Sequence, residues 1–259
     1  MKVIILCGGT GTRLKEETEF KPKPMVYVGQ QPMLWHIMKI YAHYGYNEFI
    51  LALGYKANYI KDYFLNQKAF TSDFTLNTLT HKTIYHANGE SNSDNFKITF
   101  VDTGLDTLPG ERILRCQKYI PKTDKSFMVT YGDGVSDINI KKLVKFHNQQ
   151  KTIGTVTGVH PKSKYGKLEV NSQNMVTMFS EKPILDDWTN AGFMVFNQDF
   201  FKYLRKGETE HPALSRLTKN KQLSIYKHNS FWFCMDTYKE VESLNEYWAL
   251  ENPPWKVWQ

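Results

Sequence analysis

The chain is poor in cysteine: only Cys7, Cys116 and Cys234 occur in 259 residues, far apart and odd in number. That excludes a disulfide framework and a zinc ribbon, which need paired or closely spaced thiols. Cys7 precedes a glycine turn and reads as a small buried side chain, and none of the three stands out as a nucleophile. Long apolar runs are also missing, since no segment reaches the roughly 18 uncharged apolar residues of a membrane span. The apolar start at 3–7 runs straight into Gly-Gly, too short a stretch for a signal peptide. It reads as the first core strand of a cytoplasmic protein with no membrane partner. There is no basic run either, so the net charge of +7 is diffuse. Diffuse charge without interleaved aromatics suits small phosphorylated ligands and argues against nucleic acid. No internal repeat and no linker divides the chain.

What is present begins with Gly8-Gly9-Thr10-Gly11-Thr12-Arg13, directly after the apolar run. Glycines let backbone N–H groups approach an anion closely. Arg13, and Lys23 held between two prolines, supply positive charge of the kind a triphosphate needs. Neither common phosphate motif fits. The turn has no Gly-Lys-Ser/Thr, and Gly9-Thr10-Gly11-Thr12-Arg13-Leu14 lacks the third glycine of a dinucleotide fingerprint.

Apolar runs at 3–7, 49–53, 96–101 and 127–130 alternate with helical patterns at 33–44, 57–65 and about 111–119. This alternation predicts an α/β fold: a doubly wound, mostly parallel, Rossmann-like sheet covered on both faces. Residues 67–95 are polar and break the rhythm, predicting a hairpin or excursion. From 152 onward the pattern is strand-rich, at 155–159, 167–170, 175–179 and 192–196, with closing helices at about 211–218 and 238–250. We read residues 1–259 as a single domain of two halves, 1–150 and 151–259. The tryptophans of the tail are expected to pack on the body or on another subunit.

In a doubly wound sheet ligands bind at the carboxyl ends of strands. Asp133, between two glycines at the end of the fourth run, is therefore a candidate for Mg²⁺, although an Asp in a turn is common. Asp236 follows an apolar run, and it either caps the helix near 238 or completes the metal site. Glu181-Lys182-Pro183 and Asn190-Ala191-Gly192 are ordinary turns in isolation. Beside a phosphate site, Lys182 can pair with a substrate phosphate, and Glu181 and Asn190 can meet hydroxyl groups. His36 and His43 read as packing or surface residues.

The glycine turn together with Lys21-Pro22-Lys23-Pro24-Met25 resembles the signature of the sugar-1-phosphate nucleotidyltransferases. The resemblance covers the whole chain. It is strongest to the cytidylyltransferase branch that uses glucose 1-phosphate, through Thr130-Tyr131-Gly132-Asp133-Gly134, Met235-Asp236-Thr237 and the Pro-Trp-Lys-x-Trp tail. It implies a Mg²⁺-dependent reaction in which CTP and a sugar 1-phosphate give a CDP-sugar and pyrophosphate, serving surface-polysaccharide synthesis. It further implies a homo-oligomer and a set of site residues. Leu6, Gly8, Gly9, Thr10, Gly11, Thr12, Arg13 and Lys23 would hold the nucleotide, with Thr103 and Arg112 at its far end. Arg13, Lys23 and Asp133 would serve the reaction, and Asp133 and Asp236 the metal. Lys182, Glu181, Asn190 and Gly166 would bind the acceptor. The acceptor half departs from the branch pattern at Lys164-Tyr165-Gly166, Asn190-Ala191-Gly192 and Ala213-Leu214-Ser215. CTP therefore follows from the resemblance more directly than glucose does. Another phosphorylated acceptor, another nucleotide, or a non-catalytic regulatory homologue remain alternatives.

Overall fold

The computed structural model describes residues 1–86 and 94–259. Seven strands form the central sheet: β1 (Val3–Cys7), β2 (Glu48–Leu53), β3 (Lys97–Asp102), β4 (Ser126–Tyr131), β5 (Gly154–Val159), β6 (Thr189–Asn197) and β7 (Leu223–Lys227). Their order across the sheet is β7-β5-β6-β4-β1-β2-β3. β1 runs parallel to both β2 and β4, β2 is parallel to β3, and β5 is parallel to β7. Only β6 is antiparallel to its neighbours β4 and β5. The mostly parallel sheet predicted from the alternating pattern is therefore present, and both halves of the chain build it.

The principal helices are α1 (Met33–His43), α2 (Ala57–Thr71), α3 (Pro109–Cys116), α4 (Ile140–Gln150), α5 (Glu210–Lys219) and α6 (Tyr238–Trp248). Alternate residues of β1 enter different cores, because successive side chains of a strand point to opposite faces. Val3, Ile5 and Cys7 pack with α1, α2, α4 and α6, whereas Ile4 packs with α3 and α5. Both faces of the central strands are thus covered. This is why their sequences read as unbroken apolar runs rather than alternating ones.

Most expected elements shift by only a residue or two, but three points differ in substance. α2 continues to Thr71, past the expected end at 65. α4 and β7 fill stretches to which no element was assigned. α4 buries Ile140, Leu143, Val144 and His147 along one stripe and is capped by the Asn139 side chain. β7 is an edge strand whose place is set by pairing with β5. The polar excursion contains a hairpin, Phe74–Asn77 with Lys82–Tyr85, and residues 87–93 of it lie outside the described residues. The tail packs on the body: Trp255 is fully buried, and it stacks on Trp248 and Phe231. His36 shares this cluster. Its Nε2 donates to the Val28 carbonyl, which leaves Nδ1 to accept from the Trp255 indole.

Candidate active site

The parallel pairing of β1 with β4 places Leu6 opposite Tyr131. The turns that follow, Gly8–Arg13 and Gly132–Gly134, therefore share one edge of the sheet. A cavity of about 560 Å³ opens there, lined by Leu6 to Arg13, Lys23 and Pro24, Leu105 to Pro109, Arg112, and Tyr131 to Asp133. Of the expected nucleotide residues, only Thr103 is absent from its walls. A second cavity of about 470 Å³, between α2 and the Tyr27–Gln31 segment, shares no residue with it and has no cationic side chain in its wall.

Four charged groups converge at the mouth of the first cavity. The Lys23 ammonium donates to Asp133 Oδ2 at 2.5 Å and to Asp236 Oδ1 at 2.8 Å. Arg13 holds the other Asp236 oxygen at 2.8 Å. Partial burial by itself would pull the Lys23 ammonium down. The charge and hydrogen bonds of Asp133 and Asp236 outweigh it, and the net shift is upward. The Asp236 carboxyl is pushed up by burial, but Lys23, Arg13 and Lys164 outweigh that and hold it below its ordinary range. Lys23 and Asp236 are thus each held in charged form.

The geometry removes the capping reading of Asp236. The helix that follows is capped by the next residue: Thr237 and Glu240 form a reciprocal capping box at the start of α6. The Asp236 backbone N–H also donates to Glu240, so its side chain is free to face Lys23 and Arg13. Asp133, Asp236 and Cys234 each bring a ligand atom within 4.8 Å of the others. Two carboxylates form a hard oxygen pair of the kind that takes a divalent cation together with phosphate oxygens. The Cys234 thiol is pushed strongly up by burial and by Asp133, and so stays protonated. The donor chemistry therefore fits a hard ion held by the carboxylates.

Arg112 and Thr103 turn their polar groups inward. Thr103 is fully buried, and its hydroxyl donates to the Leu53 carbonyl. The Arg112 guanidinium donates to Thr103 Oγ1 and to the carbonyls of Gly8, Leu53, Gly104 and Leu105. It lies directly beneath the glycine turn: a Cβ added at Gly8 would stand 2.2 Å from Arg112 Nη1. Glycine is needed there for close approach of a side chain from below, as well as for anything bound above.

The acceptor candidates Gly166, Glu181, Lys182 and Asn190 lie outside the cavity wall. Gly166, Glu181 and Lys182 flank a projecting hairpin, Lys167–Val170 with Val176–Ser180. Lys182 takes a left-handed φ of 47°, unusual for a side chain of its size, and its ammonium lies 3.7 Å from Glu181. Asn190 accepts from the Gly192 N–H, and Gly192 packs over the Tyr131 ring with φ 86°. Lys164, at the base of the hairpin, reaches Glu240 and so ties this segment to the loop that carries Asp236.

Two residues that sequence reasoning passed over also belong here. Tyr131 lines the cavity and donates its hydroxyl to Glu210, a buried carboxylate at the start of α5. The second oxygen, Glu210 Oε2, has no partner among the described residues. In the sequence Glu210 is only a carboxylate just before the helix expected at about 211–218, which is a common feature.

Residues 2–249 match the Nucleotidyl transferase family. A protein of Bacillus subtilis named probable glucose-1-phosphate cytidylyltransferase is 43% identical over 261 residues, covering 100% of both chains. The glucose-1-phosphate cytidylyltransferase of Salmonella typhimurium is 38% identical over 262 residues, again covering 100% of both. Among solved structures, HddC from Yersinia pseudotuberculosis superposes with a TM-score of 0.68 at 23% identity, over 95% of this chain and 99% of its own. A UDP-glucose pyrophosphorylase bound to UDP-glucose superposes with a TM-score of 0.65 at 17% identity, over 95% and 98%. These structures share the fold. A glycine turn, two cations and two carboxylates gathered at the carboxyl edge of a mostly parallel sheet, in a sequence matched from end to end, show that this chain belongs to the nucleotidyl transferase family of enzymes.

Proposed function

We propose that this chain is a cytidylyltransferase that joins CTP to a sugar 1-phosphate, with glucose 1-phosphate the first acceptor to consider. The observation that carries the reading is the meeting of Arg13, Lys23, Asp133 and Asp236 beside the glycine turn. Its nucleotide and acceptor rest on the full-length similarity to proteins named glucose-1-phosphate cytidylyltransferase. An oxygen of the sugar phosphate attacks the α-phosphorus in line. A new P–O bond forms, the α–β anhydride bond breaks, and pyrophosphate leaves with the electron pair. No protein nucleophile is required, so the protein's contribution is alignment and charge neutralisation.

In this reading the backbone of Gly8, Gly9, Thr10, Gly11 and Thr12 receives the phosphates, and Leu6 lines the adjoining wall. Arg13 and Lys23 neutralise the triphosphate. Arg112 and Thr103 act on the nucleotide from beneath, by holding the turn and the Gly104–Leu105 segment in place. Asp133 and Asp236 would hold Mg²⁺, which when bound neutralises phosphate charge. Lys182 takes the phosphate of the sugar, while Glu181, Asn190 and the close approach at Gly166 address its hydroxyl groups. The chain works as one nucleotidyltransferase domain in the cytoplasm, and its CDP-sugar serves polysaccharide synthesis. A homo-oligomer is part of the reading, supported by Leu168, Val170, Val176 and Phe179. These side chains stand exposed on the projecting hairpin, and two-stranded hairpins are marginal without cover.

The test is pyrophosphate release from the purified protein with Mg²⁺, each of the four nucleoside triphosphates and a panel of sugar 1-phosphates. Release with CTP and glucose 1-phosphate supports the full assignment. Release with CTP and another acceptor keeps the mechanism and moves the novelty to residues 160–235. Release only with another nucleotide, or silence across the panel, overturns it.

A further inference from the structure

The place between the two carboxylates is already taken by a cation. Lys23 Nζ bridges Asp133 Oδ2 and Asp236 Oδ1 at 2.5 and 2.8 Å, and its side chain is only 13% exposed. Arg13 covers the remaining Asp236 oxygen at 2.8 Å. Two cations thus balance two anions. A divalent ion entering this cluster would have to displace the ammonium or sit beside it against like charge, and among the described residues Lys23 forms ion pairs with these two carboxylates alone. The nearby cavity, with its glycine turn and the guanidinium of Arg13, is built for an anion. A polyphosphate there would offer Lys23 and Arg13 new oxygens and so release the carboxylates.

We propose that Lys23 is a stand-in cation in the Asp133–Asp236 pair, and that the nucleoside triphosphate draws it off, so that the metal enters with or after the nucleotide and not before it. This rests on the reading of Asp133 and Asp236 as the metal-holding pair. Nucleotide and metal are then positively coupled, and the coupling is reciprocal. Lys23 serves both states because its ammonium is a mobile point charge on a flexible stem.

The test is a titration of the protein with Mn²⁺ alone, free ion being read by electron paramagnetic resonance. Wild type is compared with Lys23→Gln, Lys21→Gln and the double variant Lys23→Gln/Asp133→Asn. Lys21 pairs with Glu17 and is a lysine of the same segment outside the cluster, so its variant controls for loss of one positive charge. The expected result is Mn²⁺ binding at least tenfold tighter in Lys23→Gln than in wild type, unchanged in Lys21→Gln, and lost again in the double variant. Equal Mn²⁺ affinity in wild type and Lys23→Gln overturns the proposal, while pyrophosphate release still stands as the separate test of the proposed activity. A gain that survives Asp133→Asn overturns the placement of the metal itself. Should Lys23→Gln fail to fold, lysine-ammonium NMR of wild type decides. The Lys23 signal should move on adding CTP in a chelator and stay put with millimolar Mg²⁺ alone, and movement with Mg²⁺ alone overturns the proposal.

Discussion

Replacing Arg112 by Met removes the charged group under the glycine turn while keeping a side chain of similar reach. The guanidinium donates to five acceptors at 2.6 to 3.0 Å. Three of the five have other bonds. The Gly8 carbonyl also receives the Tyr55 N–H, the Leu53 carbonyl receives the Thr103 N–H, and the Thr103 hydroxyl donates to Leu53. The carbonyls of Gly104 and Leu105 receive no other hydrogen bond among the described residues. Leaving a buried acceptor unpaired costs about 1–3 kcal/mol. Both of these bonds are only partly buried, so the two together should cost about 2–4 kcal/mol. For a chain of this size that lowers Tm by roughly 6–12 °C. Because the same group supports the turn from below, the KM for the nucleotide should rise more than the KM for the sugar phosphate. Differential scanning calorimetry and steady-state kinetics on the one variant read both effects. An unchanged Tm with a steeply raised nucleotide KM would refute the reasoning, since the guanidinium would then be a direct ligand of the nucleotide. No change in either would show that the turn needs no support.

Asp133→Asn should keep the fold and lower kcat by roughly 10³-fold or more, as checked by pyrophosphate release beside circular dichroism. Trp255→Ala empties a fully buried site in the tail cluster and should cost about 3–5 kcal/mol, read from the urea midpoint. Burial lowers His36 from 6.5 to about 4, so the folded state favours its neutral form. The unfolded chain then binds more protons between those values. Stability contributed by His36 is complete above about pH 6.5 and falls by about 3 kcal/mol as the pH drops through 4. His36→Gln should flatten the urea-midpoint profile over that window. Glu210→Leu strands the Tyr131 hydroxyl and should raise the nucleotide KM, whereas Glu210→Gln keeps an acceptor and should restore it; equal KM values in the two variants would count against the pair's positioning role.

Much of this protein is local and therefore readable in the chain. The buried strands of a parallel sheet must be apolar on both faces, so 3–7, 49–53 and 127–130 declare themselves without reference to anything distant. The glycine turn is likewise a local requirement of backbone approach, and its neighbours Arg13 and Lys23 lie close in sequence. α4 is legible too, in the helical spacing of Ile140, Leu143, Val144 and His147, with its lysines on the exposed face. Other features depend on chain segments that meet only in the folded state. β7 is a modest run made a strand by its pairing with β5. Asp236 reads as a helix cap in the sequence, and only the folded structure gives that task to Thr237 and Glu240 and pairs Asp236 with Lys23, 213 residues away. Arg112 carries a charge that suits a phosphate, yet its position under Gly8 assigns its donors to backbone carbonyls. Glu210 becomes notable only when Tyr131 reaches it across 79 residues. The sequence by itself determined the fold class and the glycine turn, because burial and backbone conformation are imposed over a few neighbouring residues. Which charges pair, and which polar groups remain for a ligand, was decided by the tertiary structure alone, because electrostatics and hydrogen bonds act over a few ångströms of space whatever their separation along the chain.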